Sequence, residues 1–294
     1  MSSGARAISD VCGIPVPDQA GPSVRRLEID GFVVFPQALS AAEVGALNDE
    51  LEGLDAIRRS GKAKLAVVRD VHLSTACQAT ELIAEAAMLG FLRRALGDDL
   101  VCMSSSYARY EPGYPGMSLH ADCQPYGSDI FGPLASVPVS LRVFYYLHDL
   151  TEERSPLRVV RTSHLCLHQA ANPYQRFLTH PEEEFITCPA GSAVVMNPRL
   201  FHGVGANRTD APRSVFTLSY RPAWAGPVRR VRGTVSARST PMPPAVRALF
   251  KPPNSRRADP KLPVQHSDHG TGPPAPLGPK RWASPNDSGT GGRR

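Results

Sequence analysis

The residues best suited to chemistry are two histidines and an aspartate that could share one metal ion. His120 and Asp122 stand two apart in MSLHADC (117–123), a run that reads as the end of a β-strand. Residues i and i+2 of a strand point to the same face, so an imidazole and a carboxylate can reach one ion from one rigid segment. Two further His-x-acid pairs occur, His180-Pro-Glu182 and His266-Ser-Asp268. The first lies in a proline- and acid-rich run that reads as a loop or a helix start, and the second in a tail without hydrophobic patterning, so neither is expected to bind metal. A third ligand is expected from His202, in the strand-like RLFHGVG (199–205). Two histidines and one carboxylate on one face leave coordination positions open, the arrangement of nonheme Fe(II) oxygenases.

Eleven residues beyond His202, Arg213 opens the strand-like RSVFTLSY after the loop GANRTDAP. An arginine in a core strand needs an anion, because an unpaired buried charge is costly. Its planar fork matches a carboxylate bidentately.

These four residues need a rigid frame. From residue 100 the chain is a series of short β-branched and aromatic runs separated by Gly, Pro and Asn: 101–110, 117–123, 140–149, 157–160, 184–188, 192–197, 199–205 and 213–222. With no helix between most of them, an antiparallel sandwich or barrel is expected rather than βαβ units. Upstream, GFVVFPQAL (31–39) predicts a strand stopped by Pro36. SAAEVGALNDELEGL (40–54) predicts a helix opened by a Ser40/Glu43 capping box, with Val44, Leu47, Leu51 and Leu54 on one stripe. Leu82, Ala86, Leu89, Leu92 and Leu96 place another helix within 76–96. A short proline-started helix is expected in 241–253, and from about 254 the Pro/Gly/Ser-rich sequence is expected to be disordered. The expected division is a lead over 1–23, one domain over 24–226, a partly ordered extension over 227–253 and a basic tail over 254–294.

The pI near 9.1 suggests nucleic acid until the charge is located. Residues 227–294 hold 13 Lys+Arg and 3 Asp+Glu, leaving residues 1–226 with 20 and 24, a net of −4. The body therefore has no electrostatic case for binding nucleic acid. No stretch is long and apolar enough for a membrane span, and the N-terminal residues lack the apolar run of a secretory signal, so a cytoplasmic protein is expected. The six cysteines form no CxxC pair and read as reduced, mostly buried thiols.

LHAD (119–122), FYYLHDLTEERSPLRVVRTSH (144–164), AGSAVVMNPRLFHGVGANRTDAPRSVFTLSY (190–220) and the opening 31–51 resemble the phytanoyl-CoA dioxygenase family of Fe(II)/2-oxoglutarate oxygenases. The resemblance spans roughly 24–225. It implies a mainly β fold with flanking helices, a double-stranded β-helix or cupin-like jelly roll. It also implies His120, Asp122 and His202 as iron ligands and Arg213 on the distal carboxylate of 2-oxoglutarate. The cosubstrates would be 2-oxoglutarate and O2, with decarboxylation to succinate and CO2 coupled to oxidation of a small-molecule substrate, and specialised metabolism is the expected setting. Family members that halogenate have a small residue in place of the carboxylate, so Asp122 implies oxygenation, most simply hydroxylation; desaturation, ring closure or epimerisation would use the same site.

The sequence also departs from the family pattern. The usual Gly-Pro-Leu and Pro-Gly-Ser-His are here Ser155-Pro156-Leu157 and Arg161-Thr162-Ser163-His164, and the position two beyond the distal histidine, often a cosubstrate-binding serine, is Val204. Tyr107 and Gln124 are the candidates to replace that serine. Two other functions stay open at this point: a zinc- or manganese-dependent jelly-roll isomerase or hydrolase, and a non-catalytic binding protein with a basic tail. The substrate and the oligomeric state are not legible.

Overall fold

The computed structural model describes residues 20–61, 63–74, 77–122, 140–165, 178–223 and 242–250. Its helices are α1 (Gly21–Asp30), α2 (Ala41–Glu52), α3 (Asp55–Arg58), α4 (Cys77–Leu82), α5 (Ala86–Leu96) and α6 (Pro244–Arg247). Its strands are β1 (Phe32–Phe35), β2 (Leu65–Arg69), β3 (Leu100–Tyr110), β4 (Met117–His120), β5 (Leu141–Tyr146), β6 (Leu157–Val160), β7 (Glu183–Ile186), β8 (Ala193–Met196), β9 (Phe201–Val204) and β10 (Arg213–Pro222). They form a six-stranded sheet in the order β1-β8-β5-β10-β3-β2 and a four-stranded sheet in the order β4-β9-β6-β7. Every pairing is antiparallel, giving the double-stranded β-helix. Among the described residues no helix is long and apolar enough to cross a membrane.

The large sheet is apolar on both faces, because one faces the small sheet and the other the helices. In β1, Val33 and Phe35 pack toward the helices, where the Phe35 ring meets Phe91 of α5 edge-on at 4.9 Å. Phe32 and Val34 face the space between the sheets with Tyr146, Leu157, Val159, Met196 and Val215. The same alternation runs through β5, where Leu141, Val143 and Tyr145 meet the helices and Phe144 and Tyr146 face inward. The inner space is therefore closed on one side by a sheet that is itself backed by helices. A site there is held by rigid strands.

Local chemistry accounts for the helix ends. The expected capping box is present: the Ser40 hydroxyl accepts from the Glu43 N–H while the Glu43 carboxylate accepts from the Ser40 N–H. The Ser40 hydroxyl, which also donates to the Glu43 carboxylate at 2.7 Å, and then the Ser40 N–H lower the pKa of that carboxyl. Where a helix was expected within 76–96, two form: Glu85 takes an extended backbone and its carboxylate accepts from the Ala87 and Met88 N–H groups, so α5 starts afresh. Helix α1 and edge strand β2 were not expected. In α1 the apolar signal reduces to Val24 and Leu27, and β2 buries only Ala66 fully. The expected helix in 241–253 is α6; Leu249 accepts from the Cys102 N–H and Phe250 stacks on His72 at 4.5 Å, fixing this segment to the helix-side core. The tail from 254 lies outside the described residues.

Candidate metal and carboxylate site

Strands β4 and β9 pair so that His120 stands directly opposite His202. The rings lie side by side with centroids 4.6 Å apart. Each Nδ1 lies within hydrogen-bonding distance of the carbonyl two residues earlier on its own strand, Ser118 O at 2.9 Å for His120 and Leu200 O at 2.8 Å for His202. A carbonyl only accepts, so both Nδ1 atoms carry a proton and both Nε2 atoms face Asp122, where the neutral imidazoles can ligate a metal. Asp122 follows the end of β4, anchored by its N–H to Pro198 O at 2.8 Å. Its Oδ2 lies 3.2 Å from His202 Nε2 and its Oδ1 3.8 Å from His120 Nε2. The ligand atoms of all three lie within 4.8 Å of one another.

This donor set fits a divalent first-row metal. Ligands at about 2.0–2.2 Å and right angles sit about 3 Å apart, so the observed spacing needs only a small contraction to close on an ion. Burial pushes the Asp122 carboxyl upward, yet His202, Arg142 and His120 outweigh it and hold it well below the usual carboxylate range. The carboxylate is ionised and ready to ligate.

Arg142, on β5, is the arginine beside this carboxylate. It pairs across β5 and β8 with the inward-facing Met196, and its Nε lies 3.0 Å from Asp122 Oδ2. The guanidinium thus adds a fixed positive charge beside the Asp122 carboxylate. The alternation of LRVFYY puts Arg142, Phe144 and Tyr146 on one face, but cannot say that this face is the inner one.

Arg213 stands beside Tyr110 in the β10–β3 register and is 1% exposed. Its guanidinium lies over the Tyr110 ring at 4.4 Å and the Tyr146 ring at 5.1 Å. Nε and Nη2 donate to Ser155 O at 3.1 and 2.7 Å. Among the described residues it has no carboxylate partner, so a buried cation is left with a free Nη1/Nη2 end. The loop between β9 and β10 is fixed by buried Asn207, whose Nδ2 donates to Tyr110 O and Ala211 O. His148 Nδ1 accepts from the Ser214 N–H at 3.1 Å, and Arg154 donates to Pro212 O. The arginine is thereby set in place from both sides.

The departures at the two glycine positions leave the backbone unchanged in kind. Ser155 and Thr162 both adopt left-handed conformations, φ 46° and 63°, which glycine enters freely and other residues at about 1–2 kcal/mol. Val204 packs against the inner apolar cluster.

Tyr107 is a correction to the expectation. It pairs with the helix-facing Phe216, lies on the outer face of the large sheet, and its hydroxyl donates to Glu52 and can accept from Ser214 Oγ at 2.9 Å. A strand residue an odd number of positions from Tyr110 and Ala108 points away from them, so Tyr107 cannot reach the space that Arg213 faces. Gln124 lies outside the described residues.

Residues 27–215 match the family described as phytanoyl-CoA dioxygenase. Dioxygenase trt7 of Aspergillus terreus is 25% identical over 240 residues, covering 76% of this chain and 79% of that protein. Ectoine dioxygenase of Streptomyces coelicolor is 26% identical over 260 residues, covering 73% and 85%. Among solved structures, HygX from Streptomyces hygroscopicus with nickel, 2-oxoglutarate and hygromycin B bound superposes with a TM-score of 0.57 at 18% identity, over 68% of this chain and 86% of that one. The epimerase SnoN from nogalamycin biosynthesis gives 0.54 at 22% identity, over 68% and 79%. The chain belongs to the phytanoyl-CoA dioxygenase family.

Proposed function

We propose that this chain is an Fe(II)- and 2-oxoglutarate-dependent oxygenase that oxidises a small organic molecule, most simply by hydroxylation. The observation that carries the reading is the combination of two imidazoles whose Nε2 atoms face one carboxylate and, at the start of β10, a buried arginine with no carboxylate partner among the described residues. The first set would hold iron through His120, Asp122 and His202. Arg213 would bind the distal carboxylate of 2-oxoglutarate. Among the similar proteins one is named an ectoine dioxygenase, one is solved with hygromycin B bound and one comes from nogalamycin biosynthesis. By analogy the substrate here is a small-molecule metabolite.

Iron bound there would activate O2, which would be the oxidant, with 2-oxoglutarate supplying two electrons as it is decarboxylated to succinate and CO2. The chain supplies placement. Ser118 and Leu200 carbonyls fix the imidazole tautomers, so no proton competes at Nε2. Arg142 lies in ion-pair range of Asp122, and a metal held by these three side chains would keep positions for cosubstrate and O2. Arg213, covered by Tyr110 and Tyr146, gains strength from burial because a desolvated guanidinium binds a carboxylate more tightly than an exposed one. The proposed division is a catalytic domain over 24–226, an extension over 227–253 and a basic tail over 254–294 that turnover does not require.

Anaerobic addition of Fe(II) and 2-oxoglutarate should produce the visible charge-transfer band of the chelate, and His202→Ala should abolish it. The reading is lost if the wild-type protein gives no band, or if His202→Ala keeps it undiminished.

A further inference from the structure

Along β10 the inward side chains are Arg213, Val215, Thr217 and Ser219, and along β3 they are Tyr110, Ala108, Ser106 and Ser104. Their direction is fixed from both faces: Tyr107, Phe216, Leu218 and Tyr220 belong to the helix-side core, whereas Tyr110 and Val215 belong to the core between the sheets. Register sets Thr217 opposite Ser106 and Ser219 opposite Ser104. Both strands therefore change from apolar to hydroxyl side chains at the same level. The change falls on the metal side. Ser219 also stands opposite Arg142, whose Nε lies 3.0 Å from Asp122 Oδ2, and Thr217 stands opposite Phe144.

These hydroxyls are unused by the protein. Thr217 and Ser219 are 9% and 4% exposed, and neither they nor Ser104 and Ser106 have a side-chain hydrogen-bond partner among the described residues. None of the four oxygens is sealed from solvent, in contrast to Ser155 Oγ. A hydroxyl held in a nearly buried position, bonded to nothing in the chain and open to the inner space, is satisfied by water or by a ligand that hydrogen-bonds as water does. The inner face is also open here: Ser104, Ser106 and Phe144 are partly exposed, and Val67, opposite Ala108 on edge strand β2, is exposed.

Neighbouring strands lie about 4.8 Å apart and alternate residues of a strand about 6.8 Å, so the four hydroxyls cover about the area of one six-membered ring. A hydrocarbon chain laid on them would strip their water and return no hydrogen bond. We propose that Ser104, Ser106, Thr217 and Ser219 are the floor of the substrate site and select a polyhydroxylated ring, a sugar or cyclitol unit, whose hydroxyls bond to these side chains while a C–H face packs on Phe144. The inference rests on the oxygenase reading above and names the substrate class of that same site.

The test begins with the full chain free of metal. Saturation-transfer NMR with methyl α-glucopyranoside, myo-inositol and cyclohexanol at equal concentration should show transfer to the two polyols and much less to cyclohexanol. Ser219→Ala and Thr217→Val each remove one unpaired hydroxyl, so each should melt no lower than wild type. Each should weaken the polyols about three- to tenfold, as expected for one lost hydrogen bond, and leave cyclohexanol unchanged. Added to the anaerobic protein with Fe(II) and 2-oxoglutarate, the polyols should shift the charge-transfer band. Preference for cyclohexanol, absence of polyol binding, unchanged polyol affinity in both variants, or polyol binding that leaves an existing band unmoved would each overturn the proposal. A wild-type protein that binds the polyols through these residues and gives no band at all would instead overturn the oxygenase reading, and with it the claim that the polyol is a substrate.

Discussion

Replacing Gly203 by alanine tests whether the metal site depends on the close approach of β4 to β9. Gly203 follows His202, and a Cβ built there lies 2.7 Å from the Met117 carbonyl oxygen and 3.1 Å from that of Ser118. Both are backbone atoms of the strand that carries His120, so neither can rotate aside. To reach ordinary contact the two strands must separate by about 0.7 Å. Metal–ligand distances tolerate about 0.2 Å, so His120 and His202 would no longer meet one ion without strain. We expect metal affinity to fall about 10- to 100-fold, the range seen when groups that orient metal ligands are lost. Overpacking at a rigid contact should also cost about 1–3 kcal/mol, a fall in Tm of about 3–10 °C for a domain of this size. Co(II), which resists oxidation and reports coordination by its visible bands, would give the affinity, and a melt of the metal-free protein the stability. Gly45→Ala is the control: nothing lies within 4 Å of its Cβ on α2, so it should stabilise by about 0.5–1 kcal/mol. A Gly203→Ala protein with unchanged Co(II) affinity and a Tm within about 1 °C of wild type would refute the reasoning.

Tyr107→Phe deletes a hydroxyl shared by Glu52 and Ser214, so it should cost about 1–3 kcal/mol in denaturant titration while leaving 2-oxoglutarate affinity unchanged. A loss of cosubstrate affinity at unchanged stability would show that the tyrosine faces the other way. Burial lowers the pKa of His72, His148 and His164 in the folded state below the ordinary 6.5. As pH falls through that value the unfolded chain takes up protons first, so the stability these residues contribute is present above about 6.5 and lost below it. Tm of the metal-free protein should therefore fall steadily from pH 7.5 toward 5.5, and His72→Phe should flatten the slope.

Much of the site was legible in the sequence because strand chemistry is local. The period of two put His120 and Asp122 on one face, and the change of texture at residue 100 announced antiparallel strands. Arg213 opens β10 where the spacing from His202 placed it, and the Ser40/Glu43 box starts α2 at the expected residue. Alternation states which residues share a face; it does not state which face is inside. In a sheet apolar on both sides the two are indistinguishable until the helices and the small sheet are packed. That is why Tyr107 reads as well as Arg142 from sequence, while the fold turns Tyr107 to Glu52 and Arg142 to Asp122. Register across strands is likewise a tertiary property: nothing local sets His120 opposite His202, or brings Ser155 against Arg213 from 58 residues away. The sequence by itself determined the types of the candidate ligands and the strands on which or beside which they lie. Only the tertiary structure decided which of them meet, because meeting depends on pairing and burial between segments distant along the chain.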